Sequence, residues 1–583
     1  MLRLIFTVLF AANSIVSACS NLITSTSSQL TPTAPGIAAP EQDGSFATAA
    51  VTQSASARTG SGLEAGNEVG KWKRYETSFS NPSWNGNPFD LDFSATFTHV
   101  ESGKKINQIG FYAGNNTWKI FFMPDALGEW VFTTSSSDPD LDGKSGSFTC
   151  VASDLPGSLI GDGNRWKLED SGEYVAPILL PTREWFKSTE TENGIDDFIL
   201  WAKNTAGALA IGTTLVYFTQ GQDEIPYVKG EEGITFNTEM WDRLNSHYDM
   251  LRDQGMGFYI MLYSDEAESP NAYGIGPESP EELRLLRYVV ARFSAYPIVM
   301  WDSGIDIGET RSNDWVNWFA DWFNENDPWH HPVSSRSGGG SGGILPRNAT
   351  YDSNGAATLP MHGYVVNQWK NLSIPLAFTD RWRENYQRGD FDPAKIREAA
   401  WEIGLVGGTA VYFGGSENSG YLNENYATDL IAAPELGFRN QFFRDQIIDL
   451  SKLTPHDELL VSSKDVILSA DPLREYIAYD KSGSSFGINF SGINGTFTGT
   501  WFNPRTGVQS TAGLFSGGDV ETFTPPDKLD WVLHLVSSDA SSNTSLCSSN
   551  FYSVSVQEKS NASEILPYLP FRVYLPLSLQ CGG

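Results

Sequence analysis

Residues 297–306 read Pro297-Ile298-Val299-Met300-Trp301-Asp302-Ser303-Gly304-Ile305-Asp306, a short apolar run that breaks into a polar, acidic end. A run of four to eight apolar residues bounded by turn signals is what a strand covered on both faces requires, as in a parallel sheet. Seven further runs flank it, at 174–180, 208–218, 257–263, 332–335, 361–366, 374–379 and 408–413. Helical periodicity fills the intervals. In 237–254, Trp241, Leu244, Tyr248 and Leu251 recur at three- and four-residue steps and share one helix face, and 280–295 is a second such stretch. Alternating strands and helices over 156–455 predict a (β/α)8 barrel, the TIM-barrel fold. The gap between the sixth and seventh strands is too short for a full helix, so either that helix is missing or one strand is misassigned.

Outside the barrel the period changes to two. Residues 69–155 hold short alternating strands broken by turns about every ten residues, which predicts a β-sandwich accessory domain. Strands return over 456–538 and predict a C-terminal antiparallel β-domain of sandwich type. The fold class expected is therefore multidomain: N-terminal β-sandwich, central (β/α)8 barrel, C-terminal β-domain. The tail, 539–583, ends in an apolar stretch at 566–579 that prolines interrupt, so a membrane-spanning helix is excluded there.

Residues 1–18 have the basic start and apolar stretch of a signal peptide, and Val16-Ser17-Ala18-Cys19 has the form of a lipobox, with Cys19 as the lipidated residue; cleavage after Ala18 as an ordinary secretory signal is the other reading. Residues 19–68 are Ser/Thr/Ala/Gly-rich and carry too little apolar surface to fold, as a lipid-anchored linker would. Both readings place the protein outside the cell, as a cell-surface lipoprotein or a secreted protein. With 39 Lys+Arg against 70 Asp+Glu, the net charge of -31 excludes nucleic acid and leaves the lipid anchor as the membrane contact. Aromatic content is 13% against 19% charged residues, a balance suited to a neutral ligand with flat apolar faces, such as a sugar. The cysteines other than Cys19 are Cys150, Cys547 and Cys581, so at most one disulfide forms among them; no metal-ligand spacing occurs, and no metal or organic cofactor is implied.

The chemistry of a parallel barrel lies at the C-terminal strand ends. Cleaving a glycosidic bond there takes two carboxyl groups, one protonated for the leaving oxygen and one ionised to attack or to activate water. The fourth strand ends in Asp306; the seventh ends Thr379-Asp380-Arg381-Trp382-Arg383-Glu384. Acids from these strands face each other across a barrel mouth. An acid after a strand also serves as an N-cap or turn residue.

These motifs resemble those of the apiosidase-like glycoside hydrolases. WDSGID resembles the W-x-x-G-x-D of that family's fourth strand, and DRWRE followed by AAWEIGLVGGTAVYFGG resembles its E-x-x-Y-E and Gly-rich last strand. NPFDLDFSATFTH, IGFYAGNNTWKIFFMPDALGEW and GSFTC resemble a small domain of unknown function that precedes bacterial glycoside hydrolases, and TWFNPRTG with FTPPDKLDWVLHL resembles a collagen-binding-type β-domain. The resemblance implies Asp306 as general acid/base and puts Asp380 where the family keeps a nucleophilic Glu. Asp is one methylene shorter, so the second role falls to Asp380 or to Glu384, whose other reading is a rim ion pair with Arg381 or Arg383. Ile305 also departs from the family's Gly or polar residue.

Candidate sugar contacts are Glu184 and Trp185 after the first strand, Trp301, His362 at the start of the expected sixth strand, Trp382, and Tyr412 on the last strand. Asp265, Glu266 and Glu309 are weaker acidic candidates, and Asp302 is expected to point away or to cap. Ser335-Arg336-Ser337-Gly338-Gly339-Gly340 has the composition of a phosphate loop but lacks its Lys-Ser/Thr ending. The function expected is a glycoside hydrolase acting on a poly- or oligosaccharide; the alternative is a non-catalytic glycan-binding surface protein on a degenerate barrel. A polysaccharide lyase is disfavoured, because no Tyr/His/Arg grouping with a basic cleft is evident.

Overall fold

The described side chains of the central sheet are buried on both faces of its strands. The computed structural model describes residues 68–538 except 182–191, 216–226, 231–232, 264–269, 339–342, 385–391, 415–426, 428–429, 448 and 463. Eight parallel strands form the barrel: β1 (Ile178–Pro181), β2 (Ala210–Thr214), β3 (Gly257–Tyr263), β4 (Val299–Gly304), β5 (Val333–Ser334), β6 (Asp352–Asn354), β7 (Leu376–Arg383) and β8 (Ala410–Gly414). The order is β5-β4-β3-β2-β1-β8-β7-β6. The remaining seam, β5 to β6, is closed by a parallel bridge between Ser337 and Asn354, with the Ser337 amide on the Ser353 carbonyl at 2.7 Å and the Gly355 amide on the Ser337 carbonyl at 2.7 Å.

Helices α1 (Glu192–Asn204), α2 (Thr238–Asp253), α3 (Pro280–Phe293), α4 (Asn313–Asn326), α5 (His362–Asn371), α6 (Pro393–Gly404) and α7 (Ala433–Asp445) accompany the strands. Their starts follow from capping chemistry. Asn237 accepts the Met240 amide ahead of α2, Ser279 accepts the Glu282 amide ahead of α3, and Pro280 fills the first turn where no amide is needed. The predicted face of α2 is the buried one: Trp241, Leu244, Tyr248 and Leu251 are all shut off from water.

One strand assignment is corrected. Residues 361–366 do not form the sixth strand; they open α5, and the sixth strand is Asp352–Asn354. Its sequence, Tyr351-Asp352-Ser353-Asn354, is polar, because its side chains bond one another and their neighbours: Asp352 accepts from Ser337 at 3.1 Å and from Asn354 at 3.2 Å. A search for apolar runs passes over such a strand.

Apolar and aromatic side chains fill the lower half of the barrel. Leu179, Ala210, Tyr259, Met300, Tyr351, Ala377 and Ala410 pack in the lumen together with Leu159, Trp166 and Leu168 of a three-stranded antiparallel sheet (Leu159–Asp162, Arg165–Leu168, Tyr174–Val175). That sheet plugs the N-terminal ends of the strands, with the Trp166 indole on the Leu376 carbonyl at 2.9 Å. In TIM barrels generally the opposite, C-terminal ends carry the ligand.

Two β-domains flank the barrel. In the N-terminal one, a five-stranded sheet (Glu68–Gly70, Ser145–Val151, Gly128–Ser136, Phe93–His99, Lys105–Ile109) faces a three-stranded one (Tyr75–Ser80, Thr117–Phe122, Phe111–Tyr112). Alternate residues of Phe93–His99 point inward, and Phe97 stacks on Phe122 at 3.8 Å. This domain docks on α2 and α3 through Arg74–Asp249, Arg284–Asp90 and Arg287–Asp92. The C-terminal domain has a six-stranded sheet and a three-stranded sheet over a core that includes Leu468, Tyr476, Phe490, Trp501 and Leu533. It is fixed to α6 and α7 by Arg397, whose guanidinium grips both oxygens of Asp530 at 2.7 and 3.0 Å and reaches Glu435 at 2.5 Å. Among the described residues, no helix is long and apolar enough to cross a membrane.

Candidate active site

β4 ends because its backbone leaves the sheet at Gly304. There φ is 145°, and a Cβ on that residue would lie 2.3 Å from the Tyr263 carbonyl oxygen, so glycine is required. The next amide, Ile305, bonds that same carbonyl at 3.0 Å. Asp306 follows with φ 44° and ψ 37°, a left-handed conformation that Asp tolerates better than most residues, and it opens the 3-10 turn Ile307–Glu309. The strand end and the turn together hold Asp306 at the C-terminal end of β4.

β7 ends in a different irregularity. Phe378 pairs with Val411 and Trp382 with Phe413, so Thr379, Asp380 and Arg381 together oppose the single residue Tyr412 of β8. A bulge of this kind bends the strand and re-aims its side chains, and bulges gather at barrel rims beside active sites. Asp380 is its middle residue.

Glu384, at the foot of the same strand end, is committed elsewhere. Its carboxylate takes the amide protons of Ile431 and Ala432, each at 2.9 Å, just ahead of α7. Burial pushes its pKa up to about 7, against the lowering effect of those two amides. These two bonds anchor Glu384 to the start of α7; the side chains of Arg381 and Arg383, its expected ion-pair partners, lie outside the described residues.

Three expected sugar contacts are corrected. Trp301 does not face the mouth: it packs on Phe323 of α4 at 4.9 Å, and its indole donates to Asp327 at 2.8 Å on the outer side of the strand. Trp382 is 1% exposed within the core between strands and helices, so its ring offers no open platform. His362 stands at the start of α5, and its Nε2 meets Asp457 of the C-terminal domain at 2.6 Å. It ties two domains together. Glu184, Trp185, Asp265, Glu266 and Cys19 lie outside the described residues, and so do the side chains of Asp380 and Tyr412. Glu309 is exposed on the turn after Asp306.

The lumen beneath the mouth holds a polar layer that the pattern reading did not find. Asp302 points inward, so it does not face away; it does cap the strand end, as the other expectation had it. Tyr259 donates to its Oδ2 at 2.8 Å and the Gly304 amide to its Oδ1 at 2.9 Å. Burial raises its pKa, while the Arg336 guanidinium and the hydrogen bonds from Ser353, Gly304 and Tyr259 work to lower it. Ser353 Oγ and Thr379 Oγ1 are 2.8 Å apart, and Arg336 Nη2 donates to the Thr379 carbonyl at 2.9 Å. The signal available in sequence was parity. With Trp301 taking the outer face of β4, Met300 and Asp302 must take the inner one.

Two family models match parts of the chain. One, described as "Domain of unknown function (DUF5060)", covers residues 68–137; the other, "Putative collagen-binding domain of a collagenase", covers 460–536. No curated protein matches the sequence. Solved structures match the fold. A "putative glycoside hydrolase" from Bacteroides vulgatus aligns with TM-score 0.67 at 20% identity, over 81% of this chain and 100% of that one. A chain described as "Glycoside hydrolase" aligns with TM-score 0.51 at 14% identity, over 66% and 98%. A glycoside hydrolase family 5 protein from Bacteroides vulgatus aligns with TM-score 0.51 at 13% identity, over 66% and 95%. At these identities the likeness is one of fold: a (β/α)8 barrel of the kind glycoside hydrolases use, with flanking β-domains.

Proposed function

We propose that the chain is a surface-tethered, extracellular glycoside hydrolase of the apiosidase-like type, cleaving a poly- or oligosaccharide by a two-carboxylate mechanism. The observation that carries this reading is the pair of backbone irregularities at the ends of β4 and β7, one presenting Asp306 and the other Asp380. Strained or bulged backbone at two facing strand ends of a barrel plugged at its other end is where such a fold keeps its chemistry. Asp306 would protonate the leaving oxygen. Asp380 would either attack the anomeric carbon, with Asp306 then deprotonating the water that releases the sugar, or itself take the proton of the attacking water. Glu384 is set aside as the second carboxylate because both of its oxygens already accept backbone amides.

The test is Asp306→Asn in the full chain, assayed for reducing-sugar release over a glycan panel and for binding by calorimetry. The hydrolase reading expects release by wild type, a loss of about a thousandfold or more in the variant, and retained binding. A wild type that binds a glycan yet releases nothing from any member of the panel identifies a binding protein on a degenerate barrel instead.

A further inference from the structure

The lower lumen shows that this barrel fills its interior without charge, from Leu179, Met300 and the alanines of β2, β7 and β8. One layer higher, directly below the strand ends, it buries an arginine and an aspartate: Arg336 is 3% exposed and Asp302 0%. Burying a cation costs several kcal/mol unless its hydrogen bonds and countercharge are in place. Packing does not explain that cost. The partners of the guanidinium give the explanation.

Arg336 follows β5 and extends into the lumen as far as β7, where its Nη2 holds the Thr379 carbonyl at 2.9 Å and lies 3.2 Å from Met261 Sδ. Thr379 is the first residue of the bulge, the stretch where three residues of β7 share one partner on β8. Its hydroxyl is held in turn by Ser353 of β6 at 2.8 Å. Asp302 of β4 is buried in the same layer and is fixed by Tyr259 and the Gly304 amide. One connected set of side chains therefore runs from the β4 end, which carries Asp306, to the residue immediately before Asp380.

We infer that Arg336 is a positioning residue: held in the buried layer beneath the mouth, it sets the Thr379 carbonyl and so fixes the bulge that carries Asp380. The inference rests on the hydrolase reading above. It also accounts for the Ser335–Gly338 sequence, which resembles a phosphate loop in composition but bonds to strand backbone instead. Because the clamp acts through the backbone that carries Asp380, its effect is expected on the chemical step. A displacement near 1 Å at a reacting group costs about a hundredfold.

The experiment uses the full chain and the panel oligosaccharide that wild type cleaves fastest. Arg336→Met is expected to lower kcat about a hundredfold with KM within threefold, and Arg336→Lys, which keeps charge and a donor, to recover at least a tenth of wild-type kcat. Ser353→Ala removes the hydroxyl that holds Thr379, together with its contacts to Tyr259 and Asp302, and is expected to lose about tenfold in kcat; it serves if Arg336→Met fails to fold. Hydrogen exchange is measured in parallel, with faster exchange expected across β7 and wild-type exchange in β1 to β3. An active wild type with kcat unchanged in Arg336→Met or Ser353→Ala overturns the clamp and leaves the hydrolase reading standing. A fall confined to KM, or no gain from Lys over Met, overturns it too. A wild type without activity overturns both.

Discussion

The Arg311 guanidinium lies 3.0 Å from the Glu282 carboxylate, and both side chains are sealed from water. This pair joins the segment after β4, which carries Asp306, to the first turn of α3. Glu282 is the hub. It also accepts from the Tyr263 hydroxyl at 3.1 Å, the Trp315 indole at 2.8 Å and the Glu278 amide at 2.5 Å. Arg311 is held besides by the Ile275 carbonyl at 2.8 Å and Asn271 at 2.7 Å. The mouth of the barrel is thus braced by a buried, multiply bonded cluster, the condition under which a buried charge pair holds one geometry.

Breaking the cluster should be asymmetric. Glu282→Ala orphans an arginine and three further donors, and should lower stability by about 4 kcal/mol. Arg311→Met leaves Glu282 with its other donors and should cost about half as much. Urea denaturation followed by tryptophan fluorescence ranks the two variants; equal or reversed losses would mean that Glu282 is not the hub.

Glu384 gives the fold a dependence on pH whose sign follows from its environment. Burial raises its folded-state pKa from the ordinary 4.5 to about 7, opposed by the Ile431 and Ala432 amides. The unfolded chain therefore releases this proton first. The contribution is complete below pH 4.5, declines as pH rises, and is gone above about pH 7. Relative to Glu384→Gln, which cannot ionise, wild type should lose up to about 3 kcal/mol between pH 4.5 and pH 8. Denaturation curves of both proteins at the two pH values measure it. A wild-type-to-variant difference that stays constant would show that the carboxyl keeps its ordinary pKa.

Which features were legible in the sequence follows from what each residue packs against. The strands around Val299–Gly304 and Gly257–Tyr263 are apolar on both faces because helices cover one side and the lumen the other, so their runs stand out. β6 did not, since Asp352, Ser353 and Asn354 form a hydrogen-bonded seam, while the neighbouring Met361 and Val365 supplied an apolar run that belongs to α5. At the site, Gly304 and Asp306 were readable from the strand's ending. The direction of Trp301 was not, because an indole beside a candidate acid suits a sugar platform as well as it suits the Phe323 face of α4. The bond from His362 to Asp457 spans 95 positions, and no local pattern announces a contact of that range.

Cys150 is a free, buried thiol in the N-terminal domain, and burial pushes its pKa up to about 11. The thiolate is the reactive species, so the folded protein should shield this residue on two counts. Alkylation by iodoacetamide at pH 8, mapped to Cys150 by mass spectrometry, should run at least about a hundredfold slower in the native protein than in urea. Rapid native labelling would contradict the buried, neutral thiol.

Trp301 provides the sharpest test of how the site is divided between chemistry and scaffold. Its indole donates to Asp327, which also accepts from His331 Nδ1 at 2.7 Å and from the Trp329 amide at 3.0 Å. Trp301→Phe removes one of these bonds and part of a buried ring, and should cost about 2 kcal/mol in stability. Because the side chain lies on the outer face of β4, KM for the best panel oligosaccharide should stay within twofold of wild type. Trp382→Phe, buried in the same core, should behave alike. If either variant raised KM tenfold while keeping wild-type stability, its ring would be a sugar platform after all, and the mouth of the barrel would extend further outward than these strands place it.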